Sequence, residues 1–273
     1  MLLLANKIIY PTFKSAQQLY THYSTIENTT ILYSNLIKNI DSSYLSTMPD
    51  ENIHKIYNKI IMNYYPNEIC IKSSFIKQIL LNGRNHVTIF ELPVGSSRAD
   101  LCKINGESIA YEIKTDLDNL ARLKKQIKDY YKIFDKVYII CSESNVENVI
   151  KIIPEKCGIY SYKQNRFKNY RFTLVRSAIL ENEISPLAQL KLIRKCEFFS
   201  HFTLDYSLKN RSEIINYINQ NYSSDSINTI FKKIIKQRFQ KQWTFLKQNY
   251  NDILEIDYQW FYKNQIPPSH IYK

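Results

Sequence analysis

The chain has 273 residues, 44 % of them apolar, enough to build one large domain or two smaller ones around a sizeable core. With 4 Gly and 8 Pro it is neither fibrous nor loop-rich, and no apolar run approaches membrane-spanning length, so we expect a cytoplasmic protein. The net charge of +12 is uneven: residues 1–150 hold 17 basic and 15 acidic side chains, whereas residues 151–273 hold 20 and 10. A basic second half favours a nucleic-acid partner, although a solubilising surface explains the charge alone equally well.

The first 65 residues predict a helical arm, because apolar side chains recur at helical spacing and Asp50 can cap a helix. A further helix is predicted over 67–81. Asn67 caps it, Glu68 lies in its first turn, and Gly83 ends it in the left-handed conformation.

Three strands follow, over 87–92, 98–104 and 108–114, and Asn105-Gly106 predicts a hairpin between the last two. A helix is then expected from Thr115 or Asp116 to Phe134, and a strand over 136–141 completes a strand–helix–strand unit. A short helix over 145–153 and a last strand over 158–162 come next. Beyond residue 175 the pattern is helical, with a long basic amphipathic helix over 228–246.

The five cysteines are widely spaced and odd in number, with no Cys-x-x-Cys pair. We expect reduced, mostly buried thiols and no zinc site.

The predicted hairpin brings Asp100 towards Glu112, and alternation along a strand places Lys114 on the same face as Glu112. The two carboxylates, with the carbonyl of Ile113, offer oxygen ligands suited to Mg²⁺ or Mn²⁺. Lys114 could orient a water or stabilise a charged transition state. The alternative is an ordinary, partly exposed hairpin with a Glu–Lys pair.

The surrounding motifs resemble those of the PD-(D/E)XK, or restriction-endonuclease-like, nuclease superfamily over about residues 68–141. A helix carries an acid, a strand carries Asp100, the next carries Glu112-Ile113-Lys114, and Gln126 and Tyr130 on the following helix are similar to the Gln-x-x-x-Tyr motif of its RecB-like branch. One group of bacterial predicted nucleases is similar in more detail, through the segments Phe90-Glu-Leu-Pro, Ser97-Arg-Ala-Asp100, Tyr111-Glu-Ile-Lys-Thr-Asp116, Arg122-Leu123 and Phe134-Asp135. Ala99 stands where the superfamily usually has Pro.

The resemblance implies an α/β fold, with a restriction-endonuclease-like core of a mixed sheet flanked by helices, and helical extensions at both ends. The domains would be a helical arm (1–65), the nuclease core (66–175) and a basic helical region (176–273). Asp100, Glu112, Lys114, Glu68, Gln126 and Tyr130 would form the catalytic site, with Asp100, Glu112, Ile113 and Glu68 as metal ligands. Glu91 either lines the same pocket or pairs with Arg98. Nucleic acid would contact Arg98, Arg122, Lys232, Lys233 and Lys236.

The implied activity is metal-dependent phosphodiester hydrolysis, with DNA favoured over RNA as substrate. Phage defence, mobile-element biology and interbacterial competition are settings consistent with the superfamily. Two alternatives stay open: an RNA-cleaving, toxin-like nuclease on the same fold, and an inactive nucleic-acid-binding or assembly module. A homodimer or an accessory protein partner is also left open.

Overall fold

The structure is a computed structural model that describes residues 7–204, 208 and 210–272. It divides into two compact units, each assembled from separate stretches of chain. The first contains the described residues up to Lys77, then Gln164–Tyr170 and those from Phe245 onward; the second contains Gln78–Lys163 and the described residues of Arg171–Thr244. The boundaries expected after residues 65 and 175 do not coincide with these units.

The first unit is helical, as predicted for the N-terminal arm. Its helices are α1 (Phe13–Thr21), α2 (Thr29–Asn39), α3 (Ser42–Leu45), α4 (Ile53–Tyr64), α5 (Glu68–Phe75) and, near the C-terminus, α12 (Tyr258–Asn264). Tyr57 of α4 is fully buried, and its hydroxyl donates to the carbonyl of Leu32 at 2.8 Å. Asn52, and not Asp50, caps α4, since its side chain accepts the backbone N–H of His54.

Helix α5 begins as predicted, with the Asn67 side chain accepting the N–H of Cys70 and with Glu68 in the first turn. It continues into a wide turn over Ile76–Leu80. The prediction for Gly83 is wrong: the positive φ lies at Asn85, at 56°. Gly83 is needed for a different reason, because a Cβ there would lie 2.7 Å from the ring of His86.

The second unit contains a six-stranded mixed sheet flanked by helices, which confirms the predicted α/β class. Its strands, in sheet order, are β1 (Val87–Val94), β2 (Ser97–Asn105), β3 (Glu107–Lys114), β4 (Lys136–Ser142), β5 (Gly158–Gln164) and β6 (Tyr170–Arg176). Strands β1, β2 and β3 pair antiparallel, whereas β3, β4 and β5 pair parallel.

The hairpin between β2 and β3 forms at the predicted place. Gly106 takes a φ of +74°, which glycine adopts without steric cost, and Leu101 pairs with Tyr111. The other edge holds a strand that the sequence did not predict, β6, of which Leu174 and Val175 are nearly half exposed.

Helix α6 (Leu123–Tyr131) packs on β2 and β4, but it starts later than predicted. The side chain of Asp118 accepts the N–H of Thr115 at 2.7 Å, which closes a turn at the end of β3. A short 3₁₀ turn over Leu120–Arg122, capped by Asn119, then leads into the helix.

The remaining helices are α7 (Val146–Ile150), α8 (Pro186–Leu190), α9 (Lys195–His201), α10 (Arg211–Asn221) and the long α11 (Ser224–Asn249). Helix α11 covers the whole segment predicted as a basic amphipathic helix. Among the residues that the structure describes, no helix is both long enough and apolar enough to cross a membrane.

All five cysteines are unpaired thiols, and four of them are buried. Burial raises the pKa of Cys141 to about 12, as it does for Cys157. Those thiols are therefore protonated at neutral pH and are packing groups rather than nucleophiles.

Candidate active site

Strands β2 and β3 place Asp100 and Glu112 side by side. The antiparallel register that pairs Leu101 with Tyr111 sets Asp100 opposite Glu112 at the next position. Directly opposed residues project from the same face of a sheet, as the predicted hairpin required. Oδ2 of Asp100 accepts the backbone N–H of Ile113 at 2.7 Å, so a carboxylate takes the place of a backbone acceptor at the end of the ladder.

Glu112 is 1 % exposed and is held by three donors. Its Oε1 accepts from Nζ of Lys114 at 2.7 Å and from Nε2 of Gln126 at 2.5 Å, and its Oε2 accepts from the hydroxyl of Tyr130 at 2.5 Å. A buried carboxylate needs such compensation, because its desolvation is otherwise costly. The three donors fix the position of Glu112 and offset its charge.

Helix α6 supplies two of these donors from positions one turn apart. Gln126 and Tyr130 are at i and i+4, so both reach β3 from the same side of the helix. The hydroxyl of Tyr130 also lies 2.8 Å from the carbonyl of Arg98. Burial, together with the charge of Glu112, raises the pKa of Tyr130 far above its ordinary value. The phenol therefore stays protonated and acts as a donor.

Arg122 lies one turn before Gln126 on the same line, and its side chain is exposed. Lys114 differs from it: the side chain is only 11 % exposed and pairs with Glu112. The row of polar side chains that the sequence predicted along this helix is thus buried at Tyr130 and exposed to solvent at Arg122.

Glu91 stands at an irregular point of β1. The β1–β2 ladder pairs Phe90 with Leu101 and Leu92 with Ala99, but it is interrupted at Glu91, where φ is +55°. A left-handed conformation in a non-glycine residue within a strand is strained by roughly 1–3 kcal/mol.

The carboxylate of Glu91 forms an ion pair with Arg98, and one of its oxygens lies within 4.8 Å of an oxygen of Asp100. Of the two alternatives for Glu91, the ion pair with Arg98 is therefore present, and a place in the lining of the pocket stays a prediction. Nothing in the sequence signals the irregular backbone, since strand propensity does not report a local left-handed residue.

Glu68 lies in the first unit, at the start of α5. Its Oε1 is 2.7 Å from Nζ of Lys72, which is nearly fully buried, whereas the Glu68 side chain is 45 % exposed. The buried ammonium thus holds an acidic group that faces solvent. The role predicted for Glu68 as a metal ligand stays a prediction.

The basic residues predicted on α11 do not all face solvent. Lys232 turns inward and lies 3.1 Å from Oδ2 of Asp135, with its side chain 17 % exposed. Lys236 donates to the carbonyl of Asn85 at 2.5 Å, and Lys233 is exposed. The Lys232 ammonium thus already compensates a buried carboxylate, and the predicted contacts of Lys232, Lys233 and Lys236 with nucleic acid stay a prediction.

Asp135 is the centre of a polar network at the start of β4. Its carboxylate also accepts from the N–H of Ser108 at 2.6 Å and from Nδ2 of Asn228 at 2.9 Å. Burial alone would raise the pKa of Asp135, but these hydrogen bonds and the Lys232 charge lower it below the ordinary value. This network stabilises the fold and lies apart from the Glu112 cluster.

Comparison with known proteins finds similarity to a protein of bacteriophage P4. A family model described as Bacteriophage P4 protein cII matches residues 61–257. Protein cII of Enterobacteria phage P4 is 26 % identical over 147 residues, which are 53 % of this chain and 55 % of that protein. The alignment thus spans about half the length of that curated relative.

A solved structure of a protein of unknown function from Silicibacter pomeroyi covers 56 % of this chain and 93 % of its own, at 15 % identity and a TM-score of 0.35. That score is too low to establish a shared fold. The family match spans most of the chain, including the whole of the Asp100–Glu112 site. The protein is a member of the family of bacteriophage P4 protein cII.

Proposed function

We propose that this protein is a metal-dependent nuclease of the PD-(D/E)XK type that hydrolyses phosphodiester bonds, most readily in DNA. The observation that carries the proposal is the convergence of Lys114, Gln126 and Tyr130 on Glu112, opposite Asp100. In an ordinary surface hairpin a Glu side chain is solvated, whereas this carboxylate is almost completely buried and held by three donors.

The donor set suits a hard divalent cation. Asp100, Glu112 and the carbonyl of Ile113 offer oxygen ligands at the end of adjacent strands, and Glu91 brings a further carboxylate close to Asp100. Glu68 is the remaining ligand that the superfamily resemblance implies. When bound, Mg²⁺ or Mn²⁺ supplies a Lewis acid and lowers the pKa of a coordinated water.

The side chains of the site then have separate roles. Lys114 keeps its ammonium against Glu112, where it can stabilise charge that develops on the attacked phosphate. Gln126 and Tyr130 orient Glu112 without exchanging protons, because the Tyr130 phenol is held in its protonated form. Asp100 is fixed by the Ile113 N–H. Such fixed groups lose little energy to reorganisation during the reaction.

Exposed cations would supply the contacts to the sugar-phosphate backbone. Arg98 and Arg122 lie at the site, and Lys233 lies on α11, all with exposed side chains. Contacts of this kind are insensitive to base sequence and weaken as salt is added. A role in phage defence, mobile-element biology or interbacterial competition follows from the superfamily resemblance alone.

The decisive assay offers the protein plasmid DNA, single-stranded DNA and tRNA, each with Mg²⁺, with Mn²⁺ or with EDTA. We expect cleavage of DNA that requires the metal and that disappears in Glu112→Gln. Cleavage of tRNA alone would select the toxin-like RNase alternative. If the wild-type protein binds but cuts none of the three, the inactive binding module is the correct interpretation.

A further inference from the structure

The tip of the β5–β6 connection displays an aromatic side chain to solvent. Phe167 is 66 % exposed, the highest exposure among the large apolar side chains of the described residues. Single exposed apolar residues are common on protein surfaces and need no explanation by themselves. The surroundings of Phe167 are what set it apart.

The turn that carries Phe167 is rigidly built. The N–H of Asn165 donates to the carbonyl of Asn169, and the N–H of Lys168 donates to the carbonyl of Asn165, both at 2.9 Å. The side chain of Asn165 also accepts the N–H groups of Phe167 and Asn169, at 2.8 and 3.1 Å. Five residues thus form a closed loop that fixes the backbone at Phe167.

A second set of hydrogen bonds ties this loop to the end of α4. Nε2 of Gln164 lies 2.9 Å from the carbonyl of Lys168, 3.3 Å from that of Asn63 and 3.4 Å from that of Met62. Residues 164–170 and α4 belong to the same compact unit, so the ring is held on a folded support. A side chain on a fixed backbone loses less conformational entropy on binding than one on a mobile loop.

The charged residues beside Phe167 in the sequence are basic, and of these Lys163 pairs with Glu143 at 3.1 Å. The nine residues from Lys163 to Arg171 include four cations and no acid. The guanidinium of Arg166 lies over the Phe167 ring, 4.6 Å from its centroid. Lys168 takes a φ of +65°, a conformation that favours Gly or Asn, so a cation occupies a turn position where glycine would be easier.

We propose that this tip, residues 165–169, binds single-stranded nucleic acid, with the Phe167 ring stacked on an unpaired base and Arg166 and Lys168 at the adjacent phosphates. A rigid aromatic ring flanked by cations is the arrangement by which proteins bind single strands without reading their sequence. Duplex DNA hides the faces of its bases, so the ring has a partner only where the strands are separated. This inference rests on the nucleic-acid binding that is part of the proposed function. It adds that the protein binds single strands in preference to duplexes.

The test measures binding of the full chain to a fluorescent oligothymidylate of about 20 nucleotides and to a duplex of the same length, by anisotropy in EDTA. Phe167→Ala and Phe167→Leu should each weaken binding to the single strand about tenfold, because Leu is apolar but offers no stacking face. Phe167→Trp should retain the affinity. Tyr33→Ala is the matched control, since Tyr33 is an aromatic residue of the same unit, 59 % exposed, on α2.

Lys168→Gly is a variant that should keep the fold, because glycine suits the left-handed turn position. We expect unchanged or higher thermal stability and weaker binding to the single strand. The slope of log K against log salt should become shallower by about 0.7, which corresponds to one lost phosphate contact.

Two results would overturn the inference: unchanged single-strand affinity in both Phe167→Ala and Phe167→Leu, or equal weakening for the single strand and the duplex. Because cleavage is blocked in EDTA, the outcome is separate from the nuclease proposal. A wild-type protein that cuts nothing, but whose binding depends on Phe167, would contradict the proposed function and leave this inference standing.

Discussion

The hydroxyl of Tyr130 lies 2.5 Å from Oε2 of Glu112, and both side chains are shielded from solvent. One comes from helix α6 and the other from strand β3, so this contact joins the helix to the sheet at the candidate site. Its energy depends on both members, because removal of the donor leaves a buried carboxylate with one hydrogen bond fewer.

Tyr130→Phe should therefore weaken the site and the fold together. Loss of a hydrogen bond to a buried charged group lowers the free energy of unfolding by about 1–3 kcal/mol. Urea unfolding measures this loss, and metal-dependent cleavage should fall in parallel. Tyr138→Phe is the control, because Tyr138 packs between Tyr111 and Tyr160. A Tyr130→Phe protein with wild-type stability and activity would show that the contact has no energetic role.

Substitutions at Glu91 can separate the effect of its strained backbone on stability from the effect of its carboxylate on cleavage. Glu91→Gly relieves the left-handed backbone at φ +55° and should raise stability by about 1 kcal/mol, while Glu91→Gln keeps the strain. If the carboxylate serves the site, both variants lose cleavage although only one is stabilised. Thermal unfolding and a cleavage assay of the two proteins measure these effects. Full activity in Glu91→Gly would assign Glu91 to the Arg98 ion pair alone.

Lys232 and Lys233 are neighbours on α11 with opposite predicted effects. Lys232→Met leaves Asp135 buried without its cation and should destabilise the protein by about 3 kcal/mol or more. Lys233→Ala should change stability by less than about 0.5 kcal/mol, because its side chain is exposed.

For nucleic-acid affinity we expect the opposite order of effects, with Lys233 important and Lys232 not. Lys233→Ala should reduce binding and its salt dependence, whereas folded Lys232→Met should bind as the wild type does. Urea unfolding and anisotropy titration at two salt concentrations check the pair. Equal destabilisation by both substitutions would contradict the inward orientation of Lys232.

His54 gives the first unit a pH-dependent stability. It is 2 % exposed, its Nδ1 lies 3.2 Å from the Tyr23 hydroxyl, and burial lowers its pKa. The unfolded chain therefore binds the proton more readily than the folded one does. Stability from the neutral ring is present above the unfolded pKa of about 6.5 and is lost as the pH falls through the lower, folded-state value.

The groups around His54 include Asp257, which accepts from Tyr23 and Tyr272 and whose pKa burial raises. Its contribution has the opposite sign, since stability is lost as the pH rises through the raised pKa. The difference between wild type and His54→Gln isolates the histidine. The free energy of unfolding, measured with urea from pH 7.5 to pH 5, should fall more steeply with falling pH in the wild type than in His54→Gln. The two slopes should differ by at most about 1.4 kcal/mol per pH unit. Parallel curves would contradict the lowered pKa.

Much of the fold is readable in the sequence wherever local signals agree with packing. Asn67 marked the start of α5, and Asn105-Gly106 marked the hairpin that sets Asp100 opposite Glu112. Helical spacing placed Gln126 and Tyr130 on one line of α6, and both reach Glu112. These features depend on residues close in sequence, whose geometry is nearly fixed.

Features that depend on distant residues were not predictable. The inward turn of Lys232 requires Asp135, about a hundred positions earlier. The late start of α6 has a local cause, because the Asp118 side chain closes a turn with Thr115 where the sequence predicts the first turn of the helix. Strand β6 was missed although Arg171-Phe-Thr-Leu-Val follows a turn, because it is an edge strand with little burial to mark it. The irregular backbone at Glu91 leaves no local sign.

The most direct test of the central claim compares wild type with Lys114→Ala for binding and for metal-dependent cleavage of the same DNA. Lys114 supplies charge at the reacting phosphate in this account, and exposed cations elsewhere supply affinity. Lys114→Ala should therefore bind within about twofold of wild type while single-turnover cleavage falls by about 10²-fold or more. Equal cleavage rates in the two proteins, with Mg²⁺ present and binding intact, would contradict the assignment of the Asp100–Glu112–Lys114 site.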